Sequence, residues 1–215
     1  MPDQFRRWPG GPLLMIVVLE GVSAAGKTSW CRAHARRLTI WEPSPRLRRL
    51  APKGKSRDVD LFWSEQHARR WEAARRLEAR ADLAVCDTDP VKLHYAWCQW
   101  RVGDGTREDF DRAAACTRAQ FADGRLGLAD LVIVMDPDLD TLRRQREEDR
   151  TRSRGGFERH VRLKESLRRW YMAVERLESG HVLWWAPGSL DEIPHRTRQV
   201  RSGAELFDRL LRSLQ

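Results

Sequence analysis

A chain of 215 residues with 41% apolar and 33% charged residues is long enough for one well-cored α/β domain and marginal for two. Its formal net charge of +9 rests on Arg far outnumbering Lys, which fits a GC-rich coding sequence or a phosphate-rich partner. The chain contains no asparagine, which excludes N-glycosylation and the NKxD element with which GTPases read guanine. Cys31, Cys86, Cys98 and Cys116 form no CxxC pair and no zinc spacing, so free thiols in a reducing cytoplasm are expected.

Residues 1–12 carry Pro-Gly and Gly-Pro punctuation without periodicity and read as a loose arm before one domain spanning 13–215. Residues 14–19 form a continuous β-favouring run, too short to cross a bilayer. This run ends in a glycine-rich loop where a signal peptide would have small cleavage-site residues, so a cytoplasmic protein is expected, with no membrane partner. The pattern then predicts a helix over 27–38 and a short strand over 39–41. Pro43, Pro45 and Pro52 predict irregular chain to about residue 56. A long helix is predicted over 58–81, with Leu61, Phe62, Ala68, Trp71 and Leu77 at helical spacing. A strand over 83–86 follows, ending at Asp87. Helices are predicted over 90–100 and 107–121, a strand over 131–135, and helices over 138–150 and 157–177. A last strand over 181–185 and a C-terminal helix over 204–214 complete the chain. Apolar strands alternating with helices imply an α/β fold in three layers: a five-stranded parallel sheet with helices on both faces and right-handed crossovers.

Gly21-Val22-Ser23-Ala24-Ala25-Gly26-Lys27-Thr28 fits GxxxxGK[ST] without deviation, with a strand before it and a helix after it. Glycines let successive N–H groups curl around phosphate oxygens. The helix N-terminus, extending through Ser29, adds a positive dipole. Lys27 supplies a point charge at the β/γ end, and the Thr28 hydroxyl can ligate Mg²⁺. This P-loop implies a nucleoside triphosphate, taken here as ATP with Mg²⁺; on its own it does not separate kinases from motors or ATPases.

The stretch Leu19-Glu20 through Thr28 resembles the first motif of deoxynucleoside kinases and thymidylate kinases, and three further matches follow in that family's order. Glu42-Pro43 is similar to the Glu-Pro after the family's second strand. Asp87-Thr88-Asp89 sits where the family has an acidic-Arg motif. Arg143, Arg144, Arg146, Arg150, Arg152 and Arg154 resemble its Arg-rich lid, here about residues 143–156. The resemblance implies Glu42 as general base toward an acceptor hydroxyl, Asp87 with Thr28 as the Mg²⁺ carboxylate and hydroxyl, and Arg143, Arg146 and Arg150 as charge-stabilising lid residues. Each has a plainer alternative. Glu42 could cap a turn before Pro43. Asp87 or Asp89 could cap a helix starting at Pro90, Asp89 suiting the cap and Asp87 the metal. The arginines could form i,i+4 ion pairs on a solvated helix. Thr88 departs from the family, which has Arg there, and points toward a modified nucleoside or an antibiotic-like alcohol.

The helix over 58–81 corresponds to one lining the family's acceptor site, which makes Trp63, Gln66 and Arg70, with His67, acceptor candidates; Gln66 could read a base edge and Trp63 stack on it. Trp63 and Trp71 could equally be core. His94, Tyr95 and Trp97 read as packed residues with no catalytic role. Trp184 and Trp185 should pack against the C-terminal helix, and the loop 186–189 could touch adenine. The expected activity is ATP-dependent phosphoryl transfer to a hydroxyl of a small, nucleoside-like molecule. The alternatives are a nucleoside monophosphate kinase using Arg46, Arg48 and Arg49, an antibiotic O-phosphotransferase, and a P-loop ATPase or regulator. No helix-turn-helix or aromatic-basic strand face is present, so nucleic acid is not an expected partner. Related kinases are often dimers, which makes a homodimer one expectation.

Overall fold

The computed structural model describes residues 14–149 and 156–215. The arm over 1–12, and Arg150, Arg152, Arg154 and Gly155 of the expected lid, lie outside the described residues.

Five parallel strands form one sheet in the order β2-β3-β1-β4-β5, from β1 (Met15–Glu20), β2 (Thr39–Ile40), β3 (Leu83–Asp87), β4 (Leu131–Val134) and β5 (Val182–Leu183). The central strand β1 pairs with β3 (Val17 opposite Val85) and with β4 (Val18 opposite Val132). Every residue of β1 is buried, as its unbroken apolar run requires of a strand covered on both faces. Alternation divides its side chains. Ile16 and Val18 join the larger apolar cluster, and Met15, Val17 and Leu19 the smaller one.

The larger cluster is closed by α3 (Arg57–Ala81), α4 (Leu93–Arg101), α5 (Arg107–Ala122), α8 (Lys164–Leu177) and α9 (Ala204–Ser213). Trp71 of α3 is 2% exposed and belongs to this core. On the other face α1 (Lys27–His34) packs Trp30 and Cys31 against the sheet, together with Ile193 from the segment after β5. The two faces are thus covered unequally. Cys31, Cys86, Cys98 and Cys116 are free thiols.

Several expectations are corrected. The stretch after Pro43 holds a helix, α2 (Pro45–Leu50), where irregular chain was expected. Ser44 caps it by accepting from the Leu47 amide, and Pro45 stands at the first turn, where its missing N–H costs nothing. The helix expected from Pro90 starts at Leu93, and the one expected over 27–38 ends at His34, followed by a 3₁₀ turn (Arg36–Leu38). The helix expected over 157–177 breaks at Leu163 into α7 (Phe157–Arg162) and α8. Between β4 and α7 lies α6 (Leu139–Glu148). Trp184 lies beneath Arg168 of α8 and packs against the larger cluster, to which Phe207 and Leu210 of α9 belong, and Trp185 is half-exposed.

Two buried carboxylates tie the sheet together at opposite ends. At the N-terminal edge Asp130, fully buried, accepts from the Ile16 amide at 2.7 Å, the Arg198 amide at 2.8 Å and the Arg201 guanidinium at 2.8 Å. Arg201 also forks onto Glu78 of α3. At the C-terminal edge Glu20, 2% exposed, accepts from the Gly21 amide at 2.9 Å and the Asp89 amide at 3.0 Å. Burial alone would raise the Glu20 carboxyl, but Lys92, His94, Lys27 and the Asp89 amide hold it down at about 2.

Asp130→Ala should cost about 3–5 kcal/mol in urea unfolding, because it strands the buried Ile16 and Arg198 amides and removes one carboxylate from Arg201. Glu20→Gln tests the other end. A group whose folded pKa is depressed contributes above its unfolded value, 4.5 here, and loses that contribution as pH falls toward 2. The variant should lose about 3 kcal/mol at neutral pH and correspondingly less in acid, with melts at both pH values as the check.

Candidate active site

The phosphate loop leaves β1 at the topological switch point, where β3 and β4 flank the central strand and a crevice opens beyond their C-terminal ends. Its backbone takes conformations that need small residues. Gly21 has φ 150°, Ala24 φ 70° and Gly26 φ 89°. A Cβ at Gly21 would stand 2.4 Å from the Met135 carbonyl oxygen, so β4 fits against the loop only because position 21 lacks a side chain. Residues Gly21 through Ser29, including Val22, Ser23, Ala25, Lys27 and Thr28, all line one cavity of about 740 Å³. The Lys27 ammonium turns back onto the loop, donating to the Gly21 carbonyl at 2.5 Å and the Val22 carbonyl at 3.0 Å.

The Thr28 hydroxyl donates to Asp87 Oδ2 at 2.8 Å, bringing together the two expected metal ligands. Asp87 is 2% exposed, and its Oδ1 is buried with no hydrogen-bond partner among the described residues. Burial pushes this carboxyl above the ordinary range, and the Thr28 hydrogen bond offsets only part of the effect. A desolvated carboxylate oxygen beside a hydroxyl is a hard-oxygen donor pair suited to Mg²⁺, which takes one or two protein ligands and completes its octahedron with water and phosphate. Among the described residues no cluster of three or more His, Cys, Asp or Glu is arranged for a metal, consistent with a site that needs the nucleotide to complete it.

Glu42 lies on the wall of the same cavity. Its Oε2 accepts from Arg48 of α2 at 2.9 Å, and its Oε1 is 3.9 Å from the Lys92 ammonium. Burial would raise the Glu42 carboxyl, but Lys92, Arg48 and Lys27 outweigh it and hold the group below the ordinary carboxylate range. The sequence did not anticipate α2, and so did not anticipate that Arg48 would be turned back onto Glu42.

Thr88 lies at the turn after β3, 2% exposed and at φ 71°, a left-handed conformation that costs a β-branched residue about 1–3 kcal/mol. Its hydroxyl is buried without a partner. Asp89 stabilises the following turn: its Oδ1 accepts from the Val91 amide at 2.8 Å and its Oδ2 from the Tyr171 hydroxyl at 3.0 Å. Burial raises Asp89 to about 7. Asp89 therefore caps the turn preceding α4, and Asp87 faces the phosphate loop.

The expected acceptor residues on α3 do not line this cavity. Arg70 is 8% exposed and gives its Nε and Nη2 to three backbone carbonyls, Trp41 at 3.2 Å, Asp87 at 2.9 Å and Thr88 at 3.0 Å, while its Nη1 is buried without a hydrogen-bond partner among the described residues. It clamps the end of β2, and hence Glu42, to the end of β3. Trp63 lies edge-on to Phe62 and is stacked with His67, 6.2 Å between ring centroids; neither it nor Gln66 reaches the cavity wall. Of α6, Gln145 and Glu148, followed by Asp149, face the cavity. Arg146, one residue from Gln145, and Arg143, two residues from it, stand about 100° and about 200° around the helix from that face. Arg143 is 3.7 Å from Asp140, and Arg146 is 3.7 Å from Glu158 and lies over the Phe157 ring.

A further wall is built by residues that sequence reasoning did not assign: Tyr95 and Cys98 of α4, Phe157 and His160 of α7, and Leu163 and Leu167 beyond it. The Tyr95 hydroxyl is 3.3 Å from His160 Nε2, and burial lowers the His160 pKa. Phe157, His160, Leu163 and Leu167 recur at helical spacing, a signal that marks a face without telling core from cavity. The Trp30 indole donates to the Pro187 carbonyl at 2.6 Å, tying the loop after β5 to the helix that begins in the phosphate loop.

No protein-family model matches the chain, and no curated protein matches it in sequence. Solved structures do match. Deoxyadenosine kinase from M. mycoides with bound dATP superposes with TM-score 0.54 at 15% identity, over 92% of this chain and 99% of that one. The same enzyme with bound dCTP gives 0.56 at 13% identity, over 93% and 100%. With products dCMP and a flexible dCDP bound it gives 0.55 at 14% identity, over 93% and 98%. At such identities the likeness concerns architecture: this chain has the P-loop kinase fold of the deoxyadenosine kinases.

Proposed function

We propose that this protein is an ATP-dependent kinase that transfers the γ-phosphoryl group to a hydroxyl of a nucleoside-like small molecule. The observation that carries the reading is the Glu42 carboxylate on the wall of the cavity that the phosphate loop lines. A triphosphatase could use such a carboxylate on water, but it has no use for the apolar and aromatic wall that Tyr95, Phe157, Leu163 and Leu167 add to the same cavity. The deoxyadenosine kinases that share the fold were solved with nucleotides bound, which supports a nucleoside as acceptor.

In this reading the loop amides and Lys27 hold the β- and γ-phosphates. Thr28 and Asp87 would hold Mg²⁺, which when bound neutralises charge shared between those phosphates. The acceptor hydroxyl stands between Glu42 and the γ-phosphorus. As its oxygen bonds to phosphorus, the bond from phosphorus to the β–γ bridging oxygen breaks and Glu42 takes the hydroxyl proton, leaving ADP and a phosphomonoester. The wall from Tyr95 to Leu167 takes the acceptor's ring. It offers mainly apolar and aromatic surface and one neutral Tyr–His pair, which suits an uncharged acceptor. The wall's cations besides Lys27 include Arg48, paired with Glu42, and Lys92, between Glu20 and Glu42, so these charges already face carboxylates.

Glu42→Gln should lower kcat by about 10²–10⁴-fold, the usual worth of a positioned base, while leaving MgATP affinity within about twofold. ADP release would be followed over a panel of nucleosides, nucleoside monophosphates and aminoglycoside-like alcohols. An unchanged rate in the variant sinks the base role; faster turnover of monophosphates than of nucleosides replaces the acceptor class. Because Glu42 acts deprotonated and is held below the ordinary value of 4.5, kcat/KM should stay level from neutral pH down to about that value and fall only below it. A limb centred near neutrality would show that another group is the base.

A further inference from the structure

Phosphoryl transfer gathers negative charge on the oxygens between donor and acceptor, so the site needs cations besides the loop lysine. The expected arginines do not supply them among the described residues: Arg143 and Arg146 stand off the cavity face, and Arg70 does not line the cavity, its Nε and Nη2 donating to backbone carbonyls. Arg48 is 54% exposed, on a six-residue helix with no buried residue, and already holds Glu42. Position 88 carries no charge. Lys92 remains.

We infer that Lys92 is a second catalytic cation of this site, its ammonium moving from a resting position between Glu20 and Glu42 onto the transferring phosphoryl group and acceptor oxygen when substrates fill the cavity. The inference rests on the kinase reading above. In the resting structure the Lys92 ammonium is 3.7 Å from Glu20 and 3.9 Å from Glu42. Both separations exceed hydrogen-bond length, so the charge is shared between two anions and sequestered by neither. Its side chain is 25% exposed and lines the cavity along with the phosphate loop. Glu20 cannot follow it, being fixed by the Gly21 and Asp89 amides. The Lys92 backbone is equally fixed: its amide donates to the Pro90 carbonyl at 2.9 Å, its carbonyl accepts from Tyr95, and the adjoining Val91 is 1% exposed and tied to Asp89. A rigid base under a flexible four-carbon stem lets the ammonium reorient without moving the turn.

A complex of MgADP with aluminium fluoride, which mimics the transferring phosphoryl group, tests this without knowledge of the acceptor. The full chain, Lys92→Met, Lys92→Arg and Arg48→Gln would be compared for affinity toward MgADP alone and toward MgADP with aluminium fluoride, after matching circular dichroism confirms folding. Lys92→Met should bind MgADP within about twofold of the wild type and lose at least about tenfold in the fluoride complex, the size of one charge-assisted contact. Lys92→Arg should recover most of that loss, and Arg48→Gln should lose far less. If Lys92→Met forms the fluoride complex as well as the wild type does, or loses MgADP and fluoride complex equally, the inference is overturned. A Lys92→Met that does not fold shifts the decision to Lys92→Arg, whose failure to hold the fluoride complex near wild-type strength also counts against it. Wild-type protein that binds MgADP but takes up no fluoride overturns it too. Wild-type protein that does not bind MgADP defeats the kinase reading itself.

Discussion

The candidate site depends on one carboxylate at the end of the central strand. Glu20 accepts the first amide of the phosphate loop with one oxygen and the Asp89 amide, in the turn after β3, with the other, and its backbone carbonyl accepts from Met135 beyond β4. Three loops leaving three adjacent strands are thereby fixed against a single residue. A buried carboxylate accepts such bonds well, because amide donors and nearby cations stabilise its charge where water is excluded. Holding it ionised requires cations, and Lys92 and Lys27 are gathered around it, while burial lowers the adjoining His94 to about 4 and leaves it neutral at neutral pH. The charge that fixes the loops therefore also brings the lysines to the cavity.

The sheet and the loop were legible because both rest on local rules. Strand runs such as Met15–Glu20 and Leu131–Val134 are apolar throughout, and the spacing of Gly21, Gly26, Lys27 and Thr28 determines a backbone shape. The Thr28–Asp87 pair was legible for a related reason: each residue ends or follows a strand, and parallel neighbours bring strand ends together. The acceptor wall was not, because it depends on which face of a helix meets which gap. Arg70 has the charge and spacing of a substrate ligand, and only the proximity of Trp41, Asp87 and Thr88 carbonyls shows that its Nε and Nη2 hold the backbone. Helix α2 was missed because three prolines outweighed one Ser-Pro start signal.

Thr88 joins the stability of the fold to its chemistry. The left-handed turn there is strained, yet it sends the chain on so that Asp89 meets Tyr171 and Glu20 while Asp87 keeps its carboxyl toward Thr28. Two acidic residues two positions apart thus acquire separate tasks, the first toward Thr28 and the phosphate loop and the second toward the core. The Arg70 clamp onto the Asp87 and Thr88 carbonyls and the Thr88 amide bond to Leu19 hold that turn against its strain.

The resting contacts of the cations also bear on how the site accepts a triphosphate. Lys27 donates to two carbonyls of its own loop, and Lys92 rests between two carboxylates. Neither ammonium is left to water alone, so a triphosphate replaces existing protein contacts and the desolvation penalty on binding is smaller than for fully hydrated lysines. The loop itself needs little rearrangement, since its positive-φ positions are already set and its amides line the cavity. Donor binding is in this sense built into the backbone, whereas an acceptor of the proposed kind would meet side chains from α4, α7 and α8. The donor half is therefore constrained by main-chain geometry that few residues satisfy, and the acceptor half by packing that many residues could satisfy, which is why the loop carries a motif and the wall does not.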